Sequence, residues 1–393
     1  MLKKSVILIP TIETPNQVCD FVWQTSRVLS NHGNYVYILS FEHASSLKEI
    51  LSGTFNKKKF KFISTKHNIN YLKPIYLIPF RRFNFITHIN QLIYFLILQL
   101  ILKIKHFSTK KYLHWMFFPH LGFLFKTKIF FWETTYDIID FYTFPDSKQN
   151  KKIEQGKKIL LNKSDHLFAI SHSLKKYCQT LTTKKISIVP QGFSHHIFER
   201  KLEKLFIKIS KNKPIIGFVG QLNERLDFQL LIKLISENQD WNFIFVGPKD
   251  LQKNLSTKKI KNLINSLLSL GGVTWVDQVP KKQIPSLINQ FDVCIIPYDI
   301  SHDFNHYCYP MKLFEYFYLG KPIISTPIKE LELTKFKNLI KISNTAQGWE
   351  NHISDLLSKP WPKKYQLQQR QLAVDNSWTN KIEAISQIID GKI

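Results

Sequence analysis

Short runs of β-branched and aromatic residues alternate with longer segments at helical spacing from about residue 213 onward. This alternation is typical of βαβ units, because parallel strands need a crossover connection that is usually a helix. It predicts a doubly wound α/β sheet in which any ligand site lies in the loops after the strands. The predicted strands are Ile215–Val219, Asn242–Val246, Val273–Val276, Asp292–Ile296, Pro322–Ser325 and Leu339–Ile342.

The first half of the chain repeats this alternation less regularly. Its predicted strands are Ser5–Ile9, Tyr35–Ser40, Lys61–Ile63, Tyr112–Trp115, Lys128–Phe131, His166–Ala169 and Ile186–Val189. A polar stretch from Ser194 to Lys213 separates the two series, and 393 residues are enough for two domains. We therefore predict an N-terminal domain over 1–205, a C-terminal domain over 206–360 and a helical segment over 361–393 that crosses back to the first domain.

The chain carries 55 Lys and Arg against 29 Asp and Glu, a formal charge of +26. This excess favours an anionic partner, which is a nucleic acid, an anionic membrane surface or a charged small substrate. The sequence has no zinc-finger spacing and no aromatic-plus-basic RNA motif, so nucleic acid is not expected. A hydrophobic fraction of 44% excludes wholesale disorder. Four cysteines without CxxC spacing indicate a reducing, cytoplasmic compartment and no metal site.

Two apolar segments bear on membrane insertion. The run Val6–Ile9 is followed by a proline and indicates a buried strand rather than a signal peptide. Leu92–Ile104 contains Gln99 and Lys103 and falls short of the roughly 20 residues of a spanning helix, so we expect no transmembrane segment. The basic residues of Phe80–Lys111 suit a helix on an anionic inner leaflet, with an ordinary buried helix of the first domain as the alternative.

A proline and a glycine bracket a predicted helix in PMKLFEYFYLGKPIIST. Pro310 suits the first helical residue, and Gly320 ends the helix nine or ten residues later. The N-terminus of this helix and the Lys312 ammonium together favour an anion. Glu315 lies one turn further on the same face, where it can accept hydrogen bonds from a ribose diol. The competing interpretation is a surface Lys–Glu pair.

A second turn suited to anions follows the first strand of the C-terminal domain, in GFVGQLNERLD. Gly220 allows close approach of the backbone and Arg225 lies just before the next helix, so both suit a diphosphate. The alternative is an ordinary strand-to-helix connection with a solvated arginine. The fingerprints GxGxxG and GxxxxGK[ST] are missing from the sequence, which argues against a dehydrogenase or an ATPase.

These segments, together with WNFIFVGP, FDVCIIPYD and the P-x-K-L-x-E-Y helix in that order, resemble the donor domain of GT-B glycosyltransferases. The closest likeness is glycosyltransferase family 4, of the bacterial teichuronic-acid-biosynthesis type. The resemblance covers Gly217–Ile342 well, and YDIIDFYTFPD, ISIVPQGFSHHIF and SWTNKIEAISQII extend it to nearly the whole chain. It implies two Rossmann-like domains that face each other across a cleft. It also implies a nucleotide diphosphate sugar as co-substrate, no cofactor or metal, and a retaining outcome.

The resemblance implies roles for individual residues. Glu315 matches the second glutamate of the family's E-x7-E motif, which holds the donor ribose, whereas Tyr307 replaces the first. The usual diphosphate-facing Arg and Lys map onto Gln221 and, with a shift of one residue, Arg225, so that Lys312 compensates for a lost charge. The family's usual glycine-rich first loop is missing, since residues 11–16 read TIETPN. The donor site is therefore assigned to Gly220, Arg225, Tyr309, Pro310, Met311, Lys312 and Glu315, with Arg225 and Lys312 also catalytic.

Three residues of the first domain are candidates for the acceptor side. His120, in FFPHLGF, follows a predicted strand and is a candidate catalytic residue that contacts the transferred sugar or manages a proton. A partly buried loop histidine is the alternative. Asp137 and Asp140 follow the predicted Lys128–Phe131 strand, where a carboxylate can act on an acceptor hydroxyl. Capping is the structural alternative for at least one of them.

The function expected from these features is transfer of a sugar from a nucleotide diphosphate sugar to a glycan or lipid-linked acceptor in bacterial surface polysaccharide biosynthesis. The expected location is the cytoplasm, peripheral to the inner face of the cytoplasmic membrane. Two alternatives follow from the departures from the family pattern and from the charge. One is a catalytically inactive nucleotide-sugar-binding protein of the same fold, and the other is a basic protein that binds membranes or polyanions.

Overall fold

The fold was obtained as a computed structural model. It describes residues 1–13, 20–41, 45–46, 69–79, 83–126, 132–142, 147–199, 212–249 and 258–392. The predicted strands Lys61–Ile63 and Lys128–Phe131 and the predicted domain boundary at residue 205 lie outside these ranges. The three described cysteines, Cys178, Cys294 and Cys308, are buried free thiols.

The chain divides into two compact units. Unit 1 comprises Met1–Pro190 and Trp378–Ile393, and unit 2 comprises Gln191–Ser377. The last helix of the chain therefore packs with the first unit. The chain leaves unit 2 after Ser377, later than residue 361, where the predicted crossing segment begins.

The strands are numbered in chain order across both units. Those of unit 1 are β1 (Val6–Thr11), β2 (Tyr35–Ser40), β3 (Ser45–Ser46), β4 (Ile69–Leu72), β5 (Ile75–Tyr76), β6 (Tyr112–Met116), β7 (Glu133–Ile138), β8 (His166–Ala169) and β9 (Ser187–Ile188). Those of unit 2 are β10 (Ile215–Val219), β11 (Asn242–Val246), β12 (Val273–Val276), β13 (Val293–Ile296), β14 (Ile323–Ser325) and β15 (Lys341–Ile342).

The α-helices are also numbered in chain order. They are α1 (Asp20–Asn31), α2 (Asn84–Lys105), α3 (Ser147–Lys163), α4 (His172–Gln179), α5 (Phe228–Glu237), α6 (Lys258–Leu268), α7 (Ile284–Ile288), α8 (Asp303–Tyr307), α9 (Lys312–Tyr318), α10 (Ala346–Ser358), α11 (Lys363–Asp375) and α12 (Trp378–Ile389). Short 3-10 helices cover Pro119–Phe125, His195–Ile197, Lys281–Gln283, Lys329–Leu331 and Thr334–Phe336.

Unit 1 contains a seven-stranded parallel sheet with the order β4-β2-β1-β6-β7-β8-β9. The central strand β1 is buried along its whole length, which is typical of parallel strands that are covered on both faces. The short strands β3 and β5 form a separate parallel pair. The strand β7 is not apparent in the sequence pattern, because Glu133 and Asp137 interrupt the apolar run expected of a buried strand.

Unit 2 contains a six-stranded parallel sheet with the order β12-β11-β10-β13-β14-β15. All six predicted strands are present. Strands β10, β11 and β12 have the predicted bounds, and the other three begin one or two residues later than predicted. The strands β11 and β12 lie on one side of β10, and β13, β14 and β15 follow on the other side. This order is that of a doubly wound nucleotide-binding sheet, so the predicted α/β class is confirmed.

The first helix of unit 2 forms where its sequence indicates. Asp227 caps α5 by accepting a hydrogen bond from the backbone N–H of Leu230 at 2.9 Å. The predicted apolar stripe, which includes Leu231, Leu234 and Ile235, is buried. The helix thereby fixes the preceding loop, which carries Gly220 and Arg225.

Helix α2 is longer than its apolar stretch suggests. It has 22 residues, because the more polar segment 84–91 is helical as well as Leu92–Ile104. By length and composition alone it qualifies as a helix able to cross a membrane, and 28% of its most apolar 18-residue window is buried. The apolar run therefore underestimates the length of this helix.

Candidate functional site

The candidate site of unit 2 lies at the carboxyl ends of β10 and β13. These strands are parallel neighbours, so the loops that follow them emerge at the same edge of the sheet. The two loops meet at a bridge between Leu226 and Tyr298, and the N–H of Asp227 donates to the carbonyl of Pro297 at 2.9 Å. The strand order reverses between β10 and β13, and ligands of doubly wound sheets bind at this position.

The turn after β10 allows a lysine to lie close to the backbone. Gly220 has φ of +153°, and a β-carbon there would lie 2.6 Å from the Lys312 Nζ. A second glycine, Gly247 at the end of β11, has φ of +140° and packs against the Gly220 carbonyl. A side chain at Gly247 would overlap the backbone of Gly220, and a side chain at Gly220 would displace Lys312. The two glycines therefore let the Lys312 ammonium reach the backbone edge of the sheet.

Arg225 is held in a defined position by three neighbours. Its Nε donates a 2.9 Å hydrogen bond to Asn305 Oδ1, and its guanidinium carbon lies 4.6 Å from the Tyr298 ring centre and 4.3 Å from that of Phe304. The Asn305 amide in turn donates to the backbone carbonyls of Arg225 and Asp299, both at 2.8 Å. Because Asn305 is fully buried, it fixes the loop and the Arg225 side chain together.

Tyr298 connects the two cations. The Lys312 ammonium donates to the Tyr298 hydroxyl at 2.7 Å and lies 5.2 Å from the ring centres of Tyr298 and Phe218. The guanidinium of Arg225 lies over the same Tyr298 ring. The backbone carbonyl of Tyr298 accepts from the Thr326 hydroxyl at 2.7 Å, which ties the loop to the end of β14. Two positive groups are therefore pre-organised on one aromatic ring, an arrangement suited to a diphosphate.

The helix that carries Lys312 is shorter than predicted. Helix α9 has seven residues and begins at Lys312, whereas Met311 is its N-cap and Pro310 lies in the preceding turn. The amides of Leu313 and Phe314 donate to the carbonyls of Pro310 and Met311, so this turn closes with i to i+3 hydrogen bonds. Glu315 is half-buried within the first turn of α9.

Two tyrosines near α9 have structural contacts. Tyr316 on α9 is fully buried, and its hydroxyl accepts from the Val219 amide at 3.0 Å, which holds α9 against the end of β10. Tyr309, which the sequence places in the donor site, is 4% exposed and its hydroxyl accepts from Lys335 Nζ at 3.4 Å. Burial raises the pKa of Tyr309, so this phenol stays neutral.

On unit 1, His120 lies in the 3-10 helix Pro119–Phe125 that follows β6. The helix packs tightly on α3, since a β-carbon at Gly122 would overlap the backbone of Gly156. The His120 ring makes an edge contact with Tyr142, with 5.8 Å between ring centres. Burial lowers the pKa of His120 below its ordinary value of 6.5, which favours the neutral imidazole at neutral pH. A neutral imidazole is able to accept a proton.

The two predicted acceptor carboxylates have different environments. Asp137 has no exposed surface and forms a buried ion pair with Lys381 of α12, with oxygen–nitrogen distances of 3.0 and 3.1 Å. The acceptor role predicted for Asp137 is therefore wrong, because a carboxylate that is fully buried and paired with a lysine cannot reach an acceptor hydroxyl. Asp140 lies just beyond β7 and is half-buried, so it keeps some accessible surface.

The structure brings together Gly220, Arg225 and Lys312, and it adds residues that the sequence does not single out. Asn305, Tyr298 and Phe304 complete the surroundings of Arg225. The only sequence signal for Tyr298 is its place directly after the β13 strand, in FDVCIIPYD. Asn305 gives no signal, because its role depends on the tertiary fold that places the short helix α8 beside Arg225. Among the described residues, no group of three or more His, Cys, Asp or Glu side chains is arranged to hold a metal ion.

The region that contains this site is similar to known proteins. Residues 199–372 match the family described as Glycosyl transferases group 1. A 226-residue stretch is 26% identical to a protein of Bacillus subtilis (strain 168) named as the teichuronic acid biosynthesis glycosyltransferase TuaH. That stretch is 54% of this chain and 54% of TuaH, so the match spans about half the length of this relative.

Solved structures with the same fold align with almost the whole chain. Sucrose-phosphate synthase from Thermosynechococcus elongatus has a TM-score of 0.74 and 15% identity, with 99% of each chain covered. Anabaena HepE in complex with UDP has a TM-score of 0.67 and 12% identity, with 99% of this chain and 100% of that chain covered. The chain therefore has the GT-B fold with two Rossmann-like α/β units, as predicted, and the stretch that matches the group 1 glycosyl transferases covers most of unit 2.

Proposed function

We propose that this chain, whose residues 199–372 match the group 1 glycosyl transferases, moves a sugar from a nucleotide diphosphate sugar to a glycan or lipid-linked acceptor. The observation that carries the proposal is the pair of cations, Arg225 and Lys312, held on Tyr298 at the carboxyl edge of β10 and β13. Two positive groups at the switch point of a doubly wound sheet suit the diphosphate of a nucleotide sugar.

In the proposed reaction the bond between the sugar anomeric carbon and the diphosphate oxygen breaks, and a bond from an acceptor hydroxyl oxygen forms. Negative charge grows on the departing diphosphate, so cations fixed beside it stabilise the transition state more than the ground state. Arg225 and Lys312 supply this charge, and we propose that they do so without a metal. Glu315, three residues after Lys312, accepts hydrogen bonds from the ribose hydroxyls. The resemblance to glycosyltransferase family 4 also supports a retaining outcome. The anomeric configuration of the product, measured by NMR, tests this outcome.

The acceptor is proposed to bind unit 1. His120 is the candidate group for contact with the transferred sugar or for the acceptor proton, because its lowered pKa leaves the imidazole neutral. Asp140 is the remaining carboxylate candidate. The name of the TuaH relative supports a role in bacterial surface polysaccharide synthesis, and the charge of +26 supports action at the anionic inner face of the cytoplasmic membrane.

The test is a thermal-shift screen of the full chain with UDP, GDP, ADP, TDP and CMP, followed by the matching nucleotide sugars. A ligand that binds only the folded state raises its melting temperature. We expect one diphosphate to raise it selectively, and we expect the shift to be lost in Lys312→Ala and reduced in Glu315→Ala. Lys329→Ala and Glu332→Ala are matched controls, since this exposed pair lies on unit 2 outside the site. A folded protein that shows no shift with any of these nucleotides overturns the proposal and favours the membrane- or polyanion-binding alternative.

A catalytically inactive nucleotide-sugar-binding protein is the second candidate function. It is favoured by Tyr307, which stands where the family pattern has a glutamate, and by Gln221 in place of a cation. Turnover separates the two candidates. Release of the nucleoside diphosphate from its sugar, dependent on acceptor and abolished in Arg225→Ala, supports the enzyme, whereas binding without release over many enzyme equivalents supports the inactive protein.

A further inference from the structure

The C-terminal half of α2 presents an apolar face that the fold leaves uncovered. Ile97, Leu100, Ile101 and Ile104 follow the i, i+3, i+4, i+7 spacing of one helix face and are between 41% and 66% exposed. Phe107 continues this face just beyond the helix and is 87% exposed. Single exposed apolar residues are ordinary, but a contiguous set of five marks an interaction site.

The opposite face of the same helix belongs to the core of unit 1. Phe95, Leu98 and Leu102 are buried. The side chain of Gln99 is buried, and its Oε1 atom lies 3.0 Å from Nε2 of His114, a histidine on the strand β6. This polar contact is satisfied only while α2 stays packed on the sheet, and its loss inside a lipid environment costs free energy.

A second polar anchor holds the N-terminal half of α2. Asn90 is 1% exposed, and its side chain accepts from the Ile78 amide at 2.8 Å and donates to the Ile78 carbonyl at 2.9 Å. Together with Gln99, this residue fixes the helix to unit 1 at two points. A helix fixed in this way does not cross a bilayer, although its length and composition alone would allow it.

Basic residues flank the exposed apolar face. On the helix, Lys103 lies on one side of the Ile97–Ile104 stripe and Lys105 on the other, and both are exposed. Lys110 adds a third exposed ammonium three residues after Phe107. The sequence of α2 contains no Asp or Glu. An apolar stripe between lysines is the pattern of helices that lie in the interface of anionic membranes, where the ammonium groups reach the headgroups.

We propose that the face formed by Ile97, Leu100, Ile101, Ile104 and Phe107, with Lys103 and Lys105, is a docking surface for an anionic lipid bilayer. The helix lies in the plane of the interface and does not span it. A second copy of this chain is a poor occupant, because two such surfaces would bring lysines of the same sign together. The inference stands apart from the nucleotide site, and only its use to approach a lipid-linked acceptor rests on the proposed function.

The test is co-sedimentation of the full chain with vesicles of phosphatidylglycerol mixed with phosphatidylcholine, and with vesicles of phosphatidylcholine alone. We expect binding to the anionic vesicles that weakens as salt is raised. The double variant Ile101→Glu/Ile104→Glu should weaken binding by at least about tenfold, because it removes apolar burial and introduces repulsion. The matched control is Leu367→Glu on α11, which alters an equally apolar and 69% exposed residue outside the surface.

Three results would overturn the inference: undiminished vesicle binding by the Ile101→Glu/Ile104→Glu variant, an equal loss in Leu367→Glu, or equal binding to neutral and anionic vesicles. Resistance of the vesicle-bound protein to extraction at alkaline pH would instead establish a spanning helix and overturn the in-plane arrangement. The nucleotide thermal shift of the double variant is measured in parallel. A retained nucleotide shift with lost vesicle binding supports the docking surface. Loss of both the nucleotide shift and vesicle binding reports a folding defect of the double variant. In that case the variants Phe107→Ser and Lys103→Gln/Lys105→Gln replace it, and both are expected to lower vesicle binding.

Discussion

The ammonium of Lys312 lies against Gly220 so closely that a β-carbon at position 220 would be 2.6 Å from the nitrogen. The lysine is the first residue of α9 and the glycine directly follows β10, so the contact joins two segments that are far apart in the sequence. It places the ammonium beside the backbone edge at which the diphosphate is proposed to bind. The size of the residue at position 220 therefore controls where this charge sits.

Replacement of this glycine tests the contact. Gly220→Ala should weaken binding of the nucleoside diphosphate that gives the largest thermal shift by roughly tenfold, the loss of about one charge-assisted hydrogen bond. Gly33→Ala is the control, because Gly33 also has a positive φ, of +79°, but has no atom within 4 Å of the added carbon. Isothermal titration measures both affinities. Full affinity in Gly220→Ala would contradict this role of the lysine.

Asn305 is predicted to act through Arg225. Asn305→Ala removes the acceptor of the Arg225 Nε hydrogen bond, and we expect several-fold weaker nucleotide binding with a stability loss of about 1–3 kcal/mol for the buried amide. In a double-mutant cycle, Asn305→Ala should add little to the affinity loss caused by Arg225→Ala. Additive losses would show that Asn305 affects binding independently of the arginine.

We predict that the Tyr298 hydroxyl positions Lys312 and that the Tyr298 ring positions Arg225. Tyr298→Phe removes the 2.7 Å hydrogen bond from Lys312 but keeps the ring under Arg225, so affinity should fall by about two- to tenfold. Tyr298→Ala removes both contacts and should cost more. Equal effects of the two substitutions, measured by nucleotide titration, would exclude a separate contribution from the hydroxyl.

The buried pair of Lys381 and Asp137 is predicted to control stability rather than nucleotide affinity. Lys381→Met leaves an uncompensated buried carboxylate and should lower the free energy of unfolding by about 3–5 kcal/mol in denaturant titration. The double variant Lys381→Met/Asp137→Leu should recover much of this loss. Lys329→Met breaks an exposed pair with Glu332 and should change stability by less than about 1 kcal/mol. A double variant no more stable than Lys381→Met would argue against the pair.

The pH dependence of stability provides a test of His120. Burial lowers its pKa below 6.5 in the folded protein, so the unfolded chain binds more protons as pH falls. The contribution of His120 is therefore favourable above pH 6.5 and is lost as pH falls below that value. His120→Gln should lose less stability than the parent protein between pH 7.5 and 5.5, in thermal or denaturant unfolding. If both proteins lost the same amount of stability between these two pH values, the lowered pKa of His120 would be contradicted.

Parts of the fold and site could be read from local patterns. The bounds of β10, β11 and β12 follow from short β-branched runs between helical stripes, because burial of a parallel strand imposes such a run. Gly220, Arg225 and Lys312 lie in the connections that follow the predicted strands, which the topology of a parallel sheet brings to one edge. Glu315 follows Lys312 by about one helical turn, which needs no tertiary information.

Other features depend on residues that meet only in the folded chain. The strand β7 carries a carboxylate that is tolerated because Lys381, 244 residues later, is buried beside it. Asn305 orients Arg225 from the short helix α8, 80 residues away in the sequence. The predicted start of α9 at Pro310 is replaced by a turn, and the helix begins at Lys312. None of these relationships leaves a periodic trace in the sequence.

The sequence by itself determined the α/β class, the positions of the unit 2 strands along the chain and the cationic residues of the candidate site, because these depend on periodicity and on spacing along the chain. Only the tertiary structure decided which charges are paired inside the core, which are held on an aromatic ring and which face of α2 is left uncovered. Burial and pairing are properties of neighbours in space, and a buried aspartate beside a lysine cannot be distinguished from an exposed one until its partner is in place.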